Sequence, residues 1–322
     1  MLINRRSLTL GAAALAAFPA RAQRLSDQPV TIIVPFSPGS GPDILARIVG
    51  DELRNRWSQV IIVDNKPGAS GNIGAAAASR ATPDGRTLLL WVNTVLMNAA
   101  LARNLPFEPV KGFEPIIELA QGSLALAVHS SVPINDAKAL VAASIAKPAD
   151  IRYASPGRGT PHHLAMELFK LRTGAKMDHI PYNGTAGAVN DFIAGHVQAM
   201  FIPIHVGLSH ARSGLIRLLG VGSSKRTPLA PDVPTLAEQG INDVEVNLGY
   251  GISAPAGTSA DVVERYNVVF NVILSDARVK DLLEKQGLAA VGGSVKQFTD
   301  RIDDELPRWR AVVQAAGITL DQ

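Results

Sequence analysis

Short apolar runs alternate with amphipathic stretches along most of the chain. Residues 30–34, 60–63 and 87–91 are almost wholly apolar and bounded by Gly, Pro and Asn, which predicts buried parallel strands rather than strands with one wet face. Between them, 42–57 and 72–80 read as helices, and a βαβα order of this kind implies an α/β domain with a mostly parallel sheet. The pattern returns after position 122. Strands are expected at 124–128, 151–154, 177–181, 197–202 and 216–221, with helices at 161–172 and 185–194. From Ser259 onward the chain becomes mainly helical, with apolar residues at three and four spacing through 262–274, 276–285 and 295–315.

Two α/β lobes could stand in series, or the second could be inserted in the first. The C-terminal helices bring too little strand of their own for a third domain, so they are expected to cover the first sheet. That places one lobe at 23–121 with 249–322 and the other at 122–248, the chain crossing near 119–123 and again near 246–252. Two crossings make a hinge.

The first 22 residues carry a basic start, an apolar stretch from Leu8 to Phe18, the helix breaker Pro19 and then Ala20-Arg21-Ala22. Small residues around Arg21 fit a signal-peptidase site before Gln23, and Asn4-Arg5-Arg6-Ser7-Leu8 resembles a twin-arginine signal, with a Sec route as the alternative. Residues 1–22 are therefore expected to be a removable signal, and the mature chain to work in the periplasm of a Gram-negative cell. Composition changes in meaning once that segment is set aside. The chain has 322 residues and a formal net charge of +3, but Arg5, Arg6 and Arg21 supply three positive charges in a stretch without acids, so the mature chain is neutral. A neutral chain gives no counterion-release basis for binding nucleic acid. With no cysteine, disulfide frameworks, thiol catalysis and Cys-ligated zinc are excluded.

Most catalytic motifs fail on inspection. Gly157-Arg-Gly159-Thr-Pro-His162 lacks the third glycine of a dinucleotide loop, and Gly249-Tyr-Gly251-Ile-Ser-Ala254 runs straight into Pro255. Gly68-Ala-Ser70-Gly71-Asn72 imitates a nucleophile elbow but ends in Asn72 where a glycine belongs. All seven histidines fall between 129 and 210, yet no H-x-x-x-H pair exists to hold a metal. No metal and no cofactor are expected.

What remains is a set of glycine-rich loops, each between a strand and a helix. Phe36-Ser37-Pro-Gly39-Ser40-Gly41 follows the first strand, with Pro42 suited to a first helical turn because it has no N–H to satisfy. Ser155-Pro-Gly157-Arg158-Gly159-Thr160 repeats the arrangement in the second lobe, and Tyr182-Asn183-Gly184-Thr185 does so again. Helix starts with exposed amides and partial positive charge can hold a carboxylate. Two lobes presenting such loops at the carboxyl ends of their strands form a ligand crevice.

These residues are familiar as a group. The run 34–47 (Val-Pro-Phe-Ser-Pro-Gly-Ser-Gly-Pro-Asp-Ile-Leu-Ala-Arg), the segment Asp64-Asn-Lys-Pro-Gly-Ala-Ser-Gly-Asn-Ile-Gly74, Pro83-Asp-Gly-Arg86, Tyr153-Ala-Ser-Pro-Gly157, His179-Ile-Pro-Tyr-Asn-Gly184, Pro231-Asp-Val-Pro-Thr-Leu-Ala-Glu238 and Ala254-Pro-Ala-Gly-Thr258 resemble the Bug (TctC-like) family of extracytoplasmic solute-binding proteins. The resemblance spans essentially the whole mature chain in order. It implies a two-lobed, type II-like periplasmic binding protein fold that closes on a small organic carboxylate, acts as a monomer and is not an enzyme. The implied partners are integral membrane subunits of the TctA/TctB type, or alternatively a sensor kinase. Carried over by position, the first-lobe contacts are Phe36, Ser37, Gly39, Ser40 and Gly41, joined by the Asn93-Thr94 loop. The second-lobe contacts are Ser155, Gly157, Arg158 and Thr160, with Tyr182, Asn183, Gly184 and Thr185. Three positions depart from the family pattern: Ser40 stands where a second glycine is usual, Asn183 where Lys or Arg is common, and Ser70 interrupts a usual Gly-Gly pair.

A rival reading from another class makes the chain an exported hydrolase or lyase with His162 or His163 as base and Asp43 as partner. The export reading has its own test. Replacing Arg5 and Arg6 together by lysine is expected to leave the precursor in the cytoplasm, as read by cell fractionation; unchanged export removes the twin-arginine route.

Overall fold

The computed structural model describes residues 28–102 and 104–318, so the signal reading, with Arg5, Arg6 and Ala20-Arg21-Ala22, lies outside the described residues. Within them the element order is β1 (Val30–Val34), α1 (Gly41–Trp57), β2 (Ile61–Asn65), α2 (Asn72–Ser79), β3 (Thr87–Val92), α3 (Thr94–Leu101), β4 (Phe113–His129), α4 (Ala137–Ala146), β5 (Arg152–Ser155) and α5 (Pro161–Thr173). There follow β6 (Asp178–Pro181), α6 (Thr185–Ile193), β7 (Ala199–Pro203), α7 (Ile204–Arg212), β8 (Ile216–Val221), β9 (Asn247–Pro255), α8 (Ala260–Ser275), α9 (Ala277–Lys285), β10 (Leu288–Ala290) and α10 (Val295–Ala316).

Local chemistry explains the best-defined boundaries. Helix α1 opens at extended Ser40, takes Pro42 and Asp43 into its first turn, carries Arg54 and Arg56 in its last, and stops at left-handed Ser58. Acid at the start and base at the end both suit the helix dipole. Its buried face of Leu45, Ala46, Val49, Leu53 and Trp57 has the three-and-four spacing of a stripe laid on a sheet. Helix α10 opens on a capping box between Ser294 and Gln297 and ends at left-handed Gly317.

The strands lie in the order β2-β1-β3-β9-β4-β7-β5-β6, with β8 and β10 also paired to β4. Strand β1 is parallel to β2 and β3, and β5 is parallel to β6 and β7, giving two parallel groups as the apolar runs predict. Of the two strands between the groups, the hydrophobic pattern predicts only 124–128, the second part of β4. Residues 113–123 of β4 pair antiparallel with β9, and residues 124–129 of the same strand pair with β7 and β8, so one 17-residue strand belongs to both halves. Where the chain was expected to cross, Ala120, Gln121, Gly122 and Ser123 lie opposite Tyr250, Gly249, Leu248 and Asn247. Both passages are thus hydrogen-bonded strand rather than free linker.

The C-terminal helices close over the first half. Tyr266 of α8 stacks near Trp57 of α1, with centroids 5.0 Å apart, and donates its hydroxyl to the Gly85 carbonyl at 2.7 Å. Asn267 donates to the Ile116 and Gly293 carbonyls at 2.8 and 2.9 Å, and Arg278 of α9 pairs with Glu52 of α1. From α10, Phe298 meets Trp91 of β3 edge-on at 5.2 Å. No helix among the described residues is long and apolar enough to cross a membrane.

Gly251 explains why β9 looked like a loop. A Cβ there would fall 2.4 Å from Phe298 Cζ and 2.8 Å from the Ile117 carbonyl, so α10 approaches the sheet where the strand has no side chain. Gly251→Ala is expected to cost about 1–3 kcal/mol by overpacking, which thermal denaturation should register as a fall of roughly 2–4 °C per kcal/mol. An unchanged melting temperature would mean that α10 is not seated against this strand.

Candidate functional site

The first-half loop is organised by Asp43. This buried carboxylate accepts from the Gly39 amide at 2.8 Å and from Asn65 Nδ2 at 3.0 Å, and pairs with Arg47 at 2.9 Å. Asn65 also donates to the Phe36 carbonyl at 3.0 Å, so the end of β2 ties down both ends of the 36–39 turn. Burial pushes the Asp43 carboxyl up, but the bonds from Arg47, Gly39 and Asn65 outweigh it and hold it below the usual aspartate value. Ser40 starts α1 without a side-chain cap, and its Oγ is buried with no partner. Beneath that helix start lies Tyr250 of β9. Its hydroxyl stands 3.5 Å from the place a Cβ on Gly41 would occupy, and burial pushes its pKa up. No hydrogen-bond partner for this hydroxyl occurs among the described residues. Tyr250 was missed at the sequence level because β9 was not recognised as a strand.

The second-half loops are joined to each other. The Tyr182 amide donates to the Ser155 carbonyl at 2.9 Å and the Gly184 amide to the Pro156 carbonyl at 3.0 Å. Ser155, fully buried, donates to the Gly157 carbonyl at 3.0 Å and meets His179 Nε2 at 2.7 Å. Thr160 caps α5, its Oγ1 accepting from the His163 amide at 3.4 Å while donating to the Gly157 carbonyl at 2.7 Å. The Tyr182 hydroxyl donates to Asp191 at 2.7 Å, which drives its pKa up to about 12 together with the larger effect of burial. The side chains of Ser155, Thr160 and Tyr182 therefore shape the loops, and three residues read from sequence as direct contacts have their hydroxyls committed within the protein.

The remaining positions differ in what they leave open. Helix α6 starts at Gly184, φ 114°, without a side-chain cap, and a Cβ on Gly184 or Gly39 would meet nothing within 4 Å. The first-turn amides of α1 and α6 thus have no side-chain cap, whereas α5 has Thr160. Asn183 and Ser37 are exposed, and Thr185 is half-buried. Arg158 forms no ion pair with any described carboxylate. Asn93 and Thr94, expected in a loop, instead begin α3; Asn93 Nδ2 donates to the Asn247 carbonyl at 2.8 Å, leaving its Oδ1 and Thr94 Oγ1 buried and unpaired.

The two sets of loops touch. A Cβ on Gly71 would lie 3.3 Å from the Phe36 ring, one on Gly157 would lie 2.9 Å from Ser70 Oγ, and one on Gly159 would lie 2.3 Å from Asn98 Oδ1. Phe36, the 70–71 turn, the 157–159 turn and the 182–184 turn therefore form one continuous lining.

Residues 45–318 match the tripartite tricarboxylate transporter family receptor, TctC. The chain belongs to this family. Solved structures agree: the periplasmic binding protein BugD has a TM-score of 0.85 at 28% identity, covering 91% of this chain and 99% of its own. An R. palustris protein solved with adipate has a TM-score of 0.86 at 29% identity, covering 91% of this chain and 98% of its own. MatC of Rhodopseudomonas palustris, solved with bound malate, gives 0.83 at 26% identity, covering 89% and 99%. The fold is the two-lobed periplasmic binding protein fold, and a solute-binding role goes with membership of this family.

The alternative catalytic pairing has no geometric support in this receptor. Asp43 is committed to Gly39, Arg47 and Asn65, and neither His162 nor His163 is among its partners. His162 is buried with both ring nitrogens unpaired, which pushes its pKa down to about 3. His163 accepts from the Gly159 amide at 3.2 Å and stacks on His179 with centroids 4.2 Å apart; His179 in turn stacks on Tyr153 at 4.7 Å. Burial first, then Arg158 and Lys170, with His163 also acting on His179, hold this pair down at about 4 and about 2. Neutral imidazoles here serve as packing beneath the 155–160 loop.

Their depressed values set a pH window. The unfolded chain takes up protons below about pH 6.5, while the native protein refuses them until about pH 4 or lower, so stability is full above 6.5 and falls as pH drops below it. Each of the three histidines contributes a slope of about 1.4 kcal/mol per pH unit in that range. Denaturant titrations between pH 7.5 and 4.5 should show this loss, and His162→Leu should remove one histidine's share of the slope. An unaltered slope in His162→Leu would place that ring in contact with water.

Proposed function

We propose that this receptor is an exported protein that captures a small organic carboxylate in the crevice between its lobes and hands it to TctA/TctB-type membrane subunits. In this reading one lobe is 23–121 with 249–322 and the other is 122–248, and the β4–β9 ribbon near 119–123 and 246–252 is the hinge. The observation that carries it is the pair of uncapped helix starts, α1 from one lobe and α6 from the other, on one lining that also holds Arg158. Amides at a helix start favour an anion through both hydrogen bonds and the helix dipole. Adipate and malate in two structural neighbours support a carboxylate rather than a neutral solute. The unpaired hydroxyl of Ser40 and the Tyr250 hydroxyl beside Gly41 add donors at the α1 end. With contacts split between lobes, the ligand binds well only to the closed form and shifts the population toward it.

A thermal-shift screen of mono-, di- and tricarboxylates and amino acids tests this proposal. A ligand at about 1,000 times its Kd stabilises the native state by about 4 kcal/mol, which should raise the melting temperature by several degrees. For the acid so found, Arg158→Ala is expected to weaken binding by about tenfold or less and Tyr250→Phe by a similar factor, since each removes one donor of many. A loss of a thousandfold or more in Arg158→Ala would mean that an ion pair, not the helix amides, holds the acid. A screen in which no acid gives a shift overturns the carboxylate reading.

A further inference from the structure

Ser70 sits on the wall of the cleft without belonging to any of the loops assigned to the ligand. It occupies a short turn before α2 with φ 52° and ψ 36°, and its neighbour Ala69 has φ 46°. Two successive residues with a Cβ in the left-handed region are costly, and such a turn persists only where its surroundings hold it. The holding group is Asn98 of α3. Its Nδ2 donates to the Ser70 carbonyl at 3.1 Å and to Asn72 Oδ1 at 2.9 Å, fixing the turn from below. In this pose Ser70 Oγ donates to the Arg158 carbonyl at 2.7 Å, across 88 positions of sequence and from one half of the molecule to the other.

The opposing loop is shaped to receive it. Gly157 and Gly159 flank Arg158, and a Cβ on either would fall against the first half, 2.9 Å from Ser70 Oγ or 2.3 Å from Asn98 Oδ1. Both also have positive φ, 144° and 76°, so the absence of a side chain serves backbone conformation and close approach together. A glycine at 70 would adopt the left-handed turn at no cost but would have no hydroxyl to offer.

We propose that Ser70 is a positioning residue for the ligand loop: its hydroxyl holds the Arg158 peptide across the cleft, so that closed protein is populated before solute arrives and Arg158 is already in place. This rests on the reading of the molecule as a receptor whose lobes close. One net hydrogen bond multiplies the closed-to-open ratio by roughly 2 to 12, and apparent affinity for a solute bound by the closed form rises with the fraction already closed.

The absence of cysteine makes the test clean. Nitroxide labels on Ser37→Cys and Ala186→Cys, both exposed and one on each lip, report the cleft width by pulsed electron spin resonance without ligand. The Ser70 background should show a short-distance population, and Ser70→Ala should reduce its ratio to the long-distance one by roughly 2- to 12-fold, with the melting temperature little changed. Ser70→Gly should open the cleft equally while relieving the turn, and it keeps the test alive if the alanine variant folds poorly. Identical distance distributions with and without the hydroxyl, or no short-distance population in the Ser70 background, overturn the proposal. A carboxylate screen on the unlabelled Ser70 and Ser70→Ala proteins separates the two ideas: retained binding with unaltered distances removes the role of Ser70 and leaves the receptor, whereas a distance shift in a chain that binds no acid does the reverse.

Discussion

A helix leaves its first amides without partners inside the helix, and water must be excluded for those amides to grip an anion strongly. The site is organised around which of them stay free. Thr160 takes up an amide at the start of α5, so that helix anchors a loop, while α1 and α6 begin without caps. The other polar groups nearby serve to hold those starts still. Asp43 and Asn65 fix the turn before α1, and Ser155 with His179 fixes the turn before α5, to which the α6 loop is hydrogen-bonded.

Rigidity on this scale needs a frame that keeps the loops of the two halves in register. A ribbon of two antiparallel strands provides it. Strand β4 contributes to both parallel groups, and β9 lies between β3 and β4, so each loop is at most a few strands from the shared ribbon. Tyr250 illustrates the benefit, because a residue on the ribbon reaches the start of α1 directly.

Much of this was legible in the chain. The parallel strands β1, β2, β3, β5, β6 and β7, the antiparallel β8 and the helices α1, α5, α6, α8 and α10 follow from apolar runs, spacing and the residues that start helices. The shared ribbon was not. Glu114, Pro115, Glu118, Gln121 and Ser123 interrupt the first part of β4, where Glu118 pairs with Arg301 and accepts from Gln121 within the same strand, and polar positions of this kind hide a strand. Gly249 and Gly251 hide β9 for a different reason, since the glycine there makes room for Asn93 and Phe298. Within the site, sequence identified the loops but not the division of labour among their hydroxyls. The hydroxyls of Ser155, Thr160 and Tyr182, read as ligand donors, also make bonds within the protein, whereas Ser40, Tyr250 and Ser70 acquire meaning only from what lies across from them.

The position of β9 in the sheet has a bearing on biosynthesis. The strands β5 to β8, with the helices between them, come from one unbroken stretch, so that half can assemble as soon as it leaves the ribosome. The other half is different: β3 waits for residues 250–253 to become its neighbour, and Asn93 for the carbonyl of residue 247, a gap of 154 positions. Such long-range closure comes late, and until then the edge of β3 and the apolar face under α8 and α10 are uncovered. A nascent chain of this topology therefore carries an incomplete, sticky first half for most of its synthesis, and it becomes a finished object only when its last helices arrive.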